Sequence, residues 1–132
     1  TSAEPRATCL LCRRLMYSIA KLVMDEVEAF GVVTGYSLGQ VASQTPANIM
    51  AEQSGIDLPI YHPLIAMDKS EITDLARKIG TYRATADAGT CAAAPKKPMT
   101  RAKAGEIRAM EVELELEAMA RALFAEREKT RI

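Results

Sequence analysis

The sequence predicts an α/β fold built on a parallel sheet, and three observations carry this. The run Val32-Val33-Thr34 has high strand propensity and passes directly into Gly35, Ser37, Gly39, Gln40, Ser43, Gln44 and Thr45. Open α/β sheets build ligand sites in such polar, glycine-bearing loops, beyond the carboxyl ends of their strands. Candidate strands also alternate with candidate helices, which implies helical crossovers between parallel strands. Only two strands are readable, and a two-stranded parallel sheet is too small to stand alone. The chain therefore reads as part of a larger sheet.

The 132 residues fit a single domain. Hydrophobic residues make up 48%, enough for one core, and charged residues 26%, too ordered a balance for a disordered chain. Lys and Arg number 17 and so do Asp and Glu, for a formal net charge of zero. That balance argues against whole-surface capture of nucleic acid and leaves room for a local basic patch. No apolar run approaches the ~18 residues of a membrane span, and the opening Thr1-Ser2-Ala3-Glu4-Pro5 has no signal-peptide character. The expectation is a cytoplasmic chain.

In chain order, apolar residues recur at helical spacing from Cys9 to Phe30, an amphipathic helix; Gly31 ends it or starts the strand Val32–Thr34. Thr45-Pro46 reads as an N-cap and first helical position, opening a short helix to Gln53 that Ser54-Gly55 stops. Leu58–Leu64 reads as the second strand, with Pro59 and Pro63 confining its pairing to the middle. Asp68-Lys69-Ser70-Glu71 has the form of a capping box for a third helix, with Ile72, Leu75, Ala76 and Ile79 on its buried face and Gly80 past its end. Residues 80–100 form a long loop, rich in Gly, Ala, Thr and Pro, of the kind that is usually functional. Residues 101–129 contain no proline and one glycine, and predict one long helix with a wide apolar face. That face and the sheet edges predict self-association or a partner chain.

Three cysteines are present, two of them in Cys9-Leu10-Leu11-Cys12. Without a secretion signal, this suggests metal or redox use over a disulfide framework. Taken alone, the Cys-x-x-Cys is equally compatible with ordinary helix-start cysteines. Lys96, Lys97, Arg101 and Lys103 form the dense basic cluster, either a phosphate-contacting patch or a solvated run.

Wording adds what spacing does not. Gly35-Tyr36-Ser37-Leu38-Gly39-Gln40-Val41-Ala42-Ser43-Gln44-Thr45 resembles the Gly-Glu-Ser-Leu-Gly-Gln-Val-Ala-Ser-Gln-Thr signature of the tRNA 4-thiouridine synthetase family. These are tRNA sulfurtransferases of the PP-loop ATP pyrophosphatase superfamily. His62-Pro63-Leu64-Ile65-Ala66-Met67-Asp68-Lys69-Ser70-Glu71-Ile72 is similar to the family's Arg-Pro-Leu and Met-Asp-Lys-x-Glu-Ile run. Ala76–Thr81, and Cys91 followed by Pro95-Lys96-Lys97-Pro98-Met99-Thr100, match too. The match covers roughly residues 9 to 100. Tyr36 replaces the family's usual glutamate, and His62 stands where the family wording has arginine.

The resemblance implies the second half of a Rossmann-like PP-loop (adenine nucleotide alpha hydrolase-like) domain over residues 9–100, followed by a C-terminal helix over 101–130. It implies ATP-dependent adenylation of a tRNA uridine at its C4 oxygen, then displacement of AMP by sulfur from a sulfur donor protein or sulfide. Thiamine biosynthesis is the family's other association. Arg13, Gly35 and Gln44 fall on the nucleotide-contacting positions, and ATP or AMP is the implied cofactor. Cys91 falls on the cysteine that handles sulfur, its thiolate favoured by exposure and by Lys96 and Lys97. Cys9, Cys12 and Cys91 fit by type and order the three thiolates that hold an iron–sulfur cluster in archaeal-type members. The family's Ser-Gly-Gly-x-Asp-Ser loop, which binds pyrophosphate through backbone amides, does not occur in this sequence. Two functions follow: part of a sulfurtransferase that needs further chain, or a degenerate half-domain that binds a nucleotide or a protein partner.

Overall fold

The structure is a computed structural model, and it describes residues 4–39, 43–82 and 91–128. After a 3-10 turn over Pro5–Ala7, helix α1 runs Thr8–Val27 and strand β1 is Val32–Val33. Helix α2 is Pro46–Gln53, strand β2 is Ile60–Tyr61, and helix α3 is Lys69–Lys78. Helices α4, Ala104–Glu113, and α5, Leu116–Ala125, follow.

The two strands pair in parallel, Val32 opposite Ile60 and Val33 opposite Tyr61. The ladder is extended by Val32 N–H donating to the Pro59 carbonyl and Thr34 N–H to the Tyr61 carbonyl, both at 2.9 Å. Pairing of the second strand is confined to the middle of the 58–64 run, as expected from the flanking prolines at 59 and 63, which cannot donate to a ladder. A Cβ on Gly31 would lie 2.7 Å from a Tyr61 ring carbon and 2.9 Å from the Pro59 carbonyl oxygen, so β1 enters its pairing at a point where glycine fits.

Local signals are realised as the residues predict. Thr45 Oγ1 accepts from Asn48 N–H at 3.2 Å and Pro46 opens α2. Asp68 and Glu71 close a reciprocal box over the start of α3, at 2.9 and 2.7 Å. Gly80 follows that helix at φ +76°.

Three expectations are corrected. Helix α1 ends before Gly31, at Glu28, which adopts φ 55° and donates back to the Met24 carbonyl. The long helix over 101–129 is instead two. Glu115, at φ 51°, breaks it after Leu114, although neither residue is a helix breaker. The break lets α4 and α5 each lie against α1, and Ile107 and Leu116 both join the core that α1 supplies. Finally, α3 has no buried residue: Ile79 is 62% exposed and Leu75 is exposed too.

The core therefore sits on one side, where Ala7, Leu10 and Leu11 meet Ala51, Ala102, Ile107 and Leu116. Leu10 and Ile107 are fully buried, each burial contributing about 1.5–3 kcal/mol. Arg14, also buried, closes the carboxyl end of α2. Its Nη1 donates to the carbonyls of Ala51, Glu52 and Ser54, and its Nη2 pairs with Glu111 of α4. One guanidinium thus satisfies carbonyls that a helix end leaves without partners.

Candidate functional site

A polar cluster occupies the carboxyl ends of both strands. The loop after β1 supplies Thr34, Gly35 and Tyr36; His62 follows β2; Arg13 projects from α1, and Glu52 and Gln53 from α2. Glu52 is 0% exposed, yet both of its carboxylate oxygens are engaged. Oε1 accepts from Arg13 Nη1 at 2.8 Å, and Oε2 accepts from the Tyr36 hydroxyl at 2.7 Å. Arg13 Nη2 donates to Ser43 Oγ at 3.0 Å. The guanidinium also lies 5.0 Å from the centroid of the Tyr36 ring, a cation–π contact. His62 stacks on Tyr36 with centroids 5.0 Å apart and planes 12° apart. Both His62 nitrogens are engaged: Nε2 lies 2.6 Å from Gln53 Nε2, and Nδ1 contacts Thr34 Oγ1.

These contacts set the charge states. Burial pushes the Glu52 carboxyl above its usual range, against the pull of Tyr36 and Arg13. Burial pushes the Tyr36 phenol well above its ordinary value, and the Tyr17 and Glu52 oxygens push the same way. Burial pulls Arg13 down, but the charge and hydrogen bond of Glu52 with the Tyr36 oxygen outweigh it, leaving Arg13 raised and cationic. Burial lowers His62, favouring the neutral ring. The cluster thus holds one fixed cation, one buried acid and two neutral rings.

Arg13, Gly35 and Tyr36 line a pocket of about 330 Å³ with Met16, Tyr17 and Val33. Of the three expected nucleotide positions, Arg13 and Gly35 therefore share one pocket. A Cβ at Gly35 would meet no atom within 4 Å among the described residues, so packing does not demand this glycine. Gln44 is half-buried, and its carbonyl accepts from Gly39 N–H at 3.2 Å. Gln40, Val41 and Ala42 of the signature lie outside the described residues. A larger hollow of about 800 Å³ between α1 and the α4–α5 bend contains none of the expected site residues.

The three cysteines are free thiols; Cys9 is half-buried on α1, and Cys12 and Cys91 are exposed. All three are described, and no group of three or more His, Cys, Asp or Glu among the described residues is placed to hold a metal ion. The residues as placed do not fit an iron–sulfur cluster. The Lys96, Lys97, Arg101 and Lys103 cluster is exposed, with Lys103 paired to Glu106 at 3.3 Å. No helix among the described residues is long and apolar enough to cross a membrane.

Sequence reasoning missed Glu52. The available signal was its i, i+4 spacing from Asn48, which places both on the face of α2 that Ala51 shares. Asn48 is fully buried as well, bonding the carbonyls of Ser43 and Met99 and the N–H of Ala102.

Polar side chains gather at the carboxyl ends of parallel strands around an open pocket, the place where α/β folds put ligand sites. Residues 1–116 match the family described as thiamine biosynthesis protein (ThiI), and the chain belongs to that family. A probable tRNA sulfurtransferase of Methanosarcina acetivorans is 52% identical over 119 residues, covering 89% of this chain and 29% of that protein. The corresponding Methanosarcina mazei protein is 54% identical, covering 88% and 29%. A crystal structure of a 4-thiouridine synthetase–RNA complex with bound ATP superposes with a TM-score of 0.85 at 31% identity, over 96% of this chain and 34% of that one. The chain thus spans less than a third of the first two relatives, and the motif-based resemblance is borne out.

Proposed function

We propose that these residues form part of the adenylation and sulfur-transfer site of a tRNA sulfurtransferase making 4-thiouridine. ATP would adenylate the uridine C4 oxygen and release pyrophosphate; sulfur would then displace AMP at C4. Arg13, Gly35 and Gln44 bind the nucleotide in this reading. The observation that carries it is Arg13 held beside Gly35 at the edge of one pocket, in a chain whose structural neighbour is described with bound ATP. A guanidinium fixed by a buried carboxylate is already oriented before a phosphate arrives, which cuts the ordering cost of a charge-assisted bond.

Cys91 is the sulfur-handling thiol, exposed and upstream of Lys96 and Lys97. The exposed basic cluster supplies phosphate contacts to tRNA, which position the RNA without reading its sequence. The pyrophosphate-binding loop, absent from these residues, comes from elsewhere in a longer protein. Among the described residues β1 pairs with β2 alone, and its other edge suits a further strand. A role on tRNA also implies a cytoplasmic setting. Cys9, Cys12 and Cys91 as placed form no metal-holding group, so an iron–sulfur cluster on them would require the three thiols to come together. Anaerobic reconstitution with iron and sulfide, read by visible absorption, decides that point.

The test is Arg13→Ala in the full-length protein, assayed for ATP affinity and for 4-thiouridine formation. Losing a charge-assisted contact of about 1.5–3 kcal/mol weakens ATP binding roughly ten- to hundredfold. Unchanged ATP affinity overturns the assignment of this site and favours the non-catalytic partner-binding reading. The 132 residues alone are expected to release no pyrophosphate from ATP above a Gln44→Ala control.

A further inference from the structure

Asn48 is fully buried on α2, and both polar atoms of its side chain are engaged. Its Nδ2 donates to the Ser43 carbonyl at 3.0 Å and to the Met99 carbonyl at 2.7 Å, and its Oδ1 accepts from the Ala102 N–H at 2.9 Å. One amide thus joins the loop beside Arg13 to a segment far along the chain. We infer that Asn48 is a positioning residue that couples Arg13 to the segment 97–102, so that the stretch leading from Cys91 responds to what occupies the Arg13 pocket. This rests on the nucleotide reading only where ATP is taken as the occupant.

On one side the connection runs through Ser43, which is also buried. The carbonyl that Asn48 bonds accepts from Arg13 Nη1 as well, at 3.5 Å, and the Ser43 hydroxyl accepts from Arg13 Nη2 at 3.0 Å. A guanidinium drawn toward an anion in the pocket therefore pulls on a residue that Asn48 also holds.

On the other side, Met99 and Ala102 bracket Thr100, whose carbonyl accepts from Thr45 Oγ1 at 2.7 Å. The start of α2 thus grips the backbone at 99, 100 and 102. Arg6 anchors the same segment independently: its Nε donates to the Lys97 carbonyl at 3.2 Å, and its own carbonyl accepts from the Met99 N–H at 3.0 Å. Cys91 stands at the head of this stretch, in a turn where the Ala94 N–H donates to its carbonyl at 3.0 Å. An apolar side chain could fill the Asn48 space, but packing lets surfaces slide, whereas three directional bonds in a dry site carry a displacement from one segment to the other. Losing Asn48 would leave the segment attached at Arg6 and no longer coupled to Arg13.

The test measures hydrogen exchange of the 97–102 amides in the full-length protein, with and without saturating ATP. In the parent, ATP is expected to slow exchange about fivefold or more, the low end of ordinary coupling between sites. In Asn48→Ala, again saturated with ATP, the slowing disappears. Leu116→Ala, which opens the core on α5 and touches none of these bonds, keeps it. If Asn48→Ala does not fold, Thr45→Val removes the bond to Thr100 at a half-buried position and reduces the slowing by about two- to tenfold.

ATP that binds without slowing exchange at 97–102 overturns the coupling. So does slowing that survives in Asn48→Ala, or in Thr45→Val where that variant stands in, and so does slowing that Leu116→Ala abolishes equally. If the parent does not bind ATP, the nucleotide reading fails and the coupling is read without ligand. Arg13→Ala then speeds exchange at 97–102 in the parent and not in the Asn48→Ala or Thr45→Val background, and additive effects overturn the inference.

Discussion

The α1–α2–α4–α5 side and the β1–β2–α3 side differ in what each has to pack against. On the helical side, Leu10, Ala51, Ile107 and Leu116 close on one another, buried Asn48 bonds backbone, and buried Arg14 bonds carbonyls through Nη1 and Glu111 through Nη2. On the sheet side, Val33 is 69% exposed, Phe30 is 92% exposed, and α3 contributes no buried residue. Both sides carry the amphipathic patterning of a core. The site lies where they join, with Arg13 and Glu52 anchored from the finished side and Tyr36 and His62 from the unfinished one. The difference teaches that the geometry of Arg13 is set mainly by α1 and α2, while the rings that face it sit on the less supported layer.

Arg14→Ala should break the comparison most severely, because it leaves Glu111 without its cation and the α2 carbonyls without donors. The expected cost is about 3–5 kcal/mol in urea unfolding. A cost below about 1 kcal/mol would mean that water replaces those bonds freely. Ile107→Ala should cost about 2–5 kcal/mol by opening a cavity in the helical core. Ile79→Ala on α3 should stay within about 0.5 kcal/mol in the isolated chain. Repeating the Ile79 measurement in the full-length protein sharpens the contrast: a cost that climbs toward that of Ile107 shows that further chain covers α3.

The smallest effect concerns pH. His62 is lowered from 6.5 by burial, so the unfolded chain takes up a proton before the folded one. Stability should therefore fall as pH drops below 6.5 and through the lowered value, a slope that His62→Gln abolishes. Glu52, raised in the fold, acts with the opposite sign: its contribution to stability falls as pH rises above 4.5. Thermal melts of parent and His62→Gln, subtracted at each pH, isolate the histidine; identical profiles would show that His62 does not titrate with folding.

What was legible in the sequence follows how local each cause is. Thr45-Pro46 and Asp68–Glu71 act within one turn of helix, and both caps formed as read. The wording around Gly35 and Met67-Asp68-Lys69 pointed to the family, and through it to Arg13 and Gly35 in one pocket. The break at Glu115 was not legible, since Leu and Glu both favour helix and the cause is the packing of two segments onto α1. The α3 stripe read correctly as amphipathic and wrongly as buried, because periodicity says which face is apolar and not what will cover it. The Glu52–Tyr36–His62 contacts join three separated elements, so no local pattern announces them.

Gly31 has a consequence for alignment. A ladder of two rungs carries little information about which residue faces which, and a slip by one residue would turn every side chain of β1 to the opposite face. The pinch against Tyr61 and the Pro59 carbonyl works as a keyway. A slip in either direction would bring Phe30 or Val32 into it, and each has a Cβ that the space cannot hold. The missing side chain thus fixes the phase of the strand, and with it the depth at which Thr34 and Tyr36 meet His62.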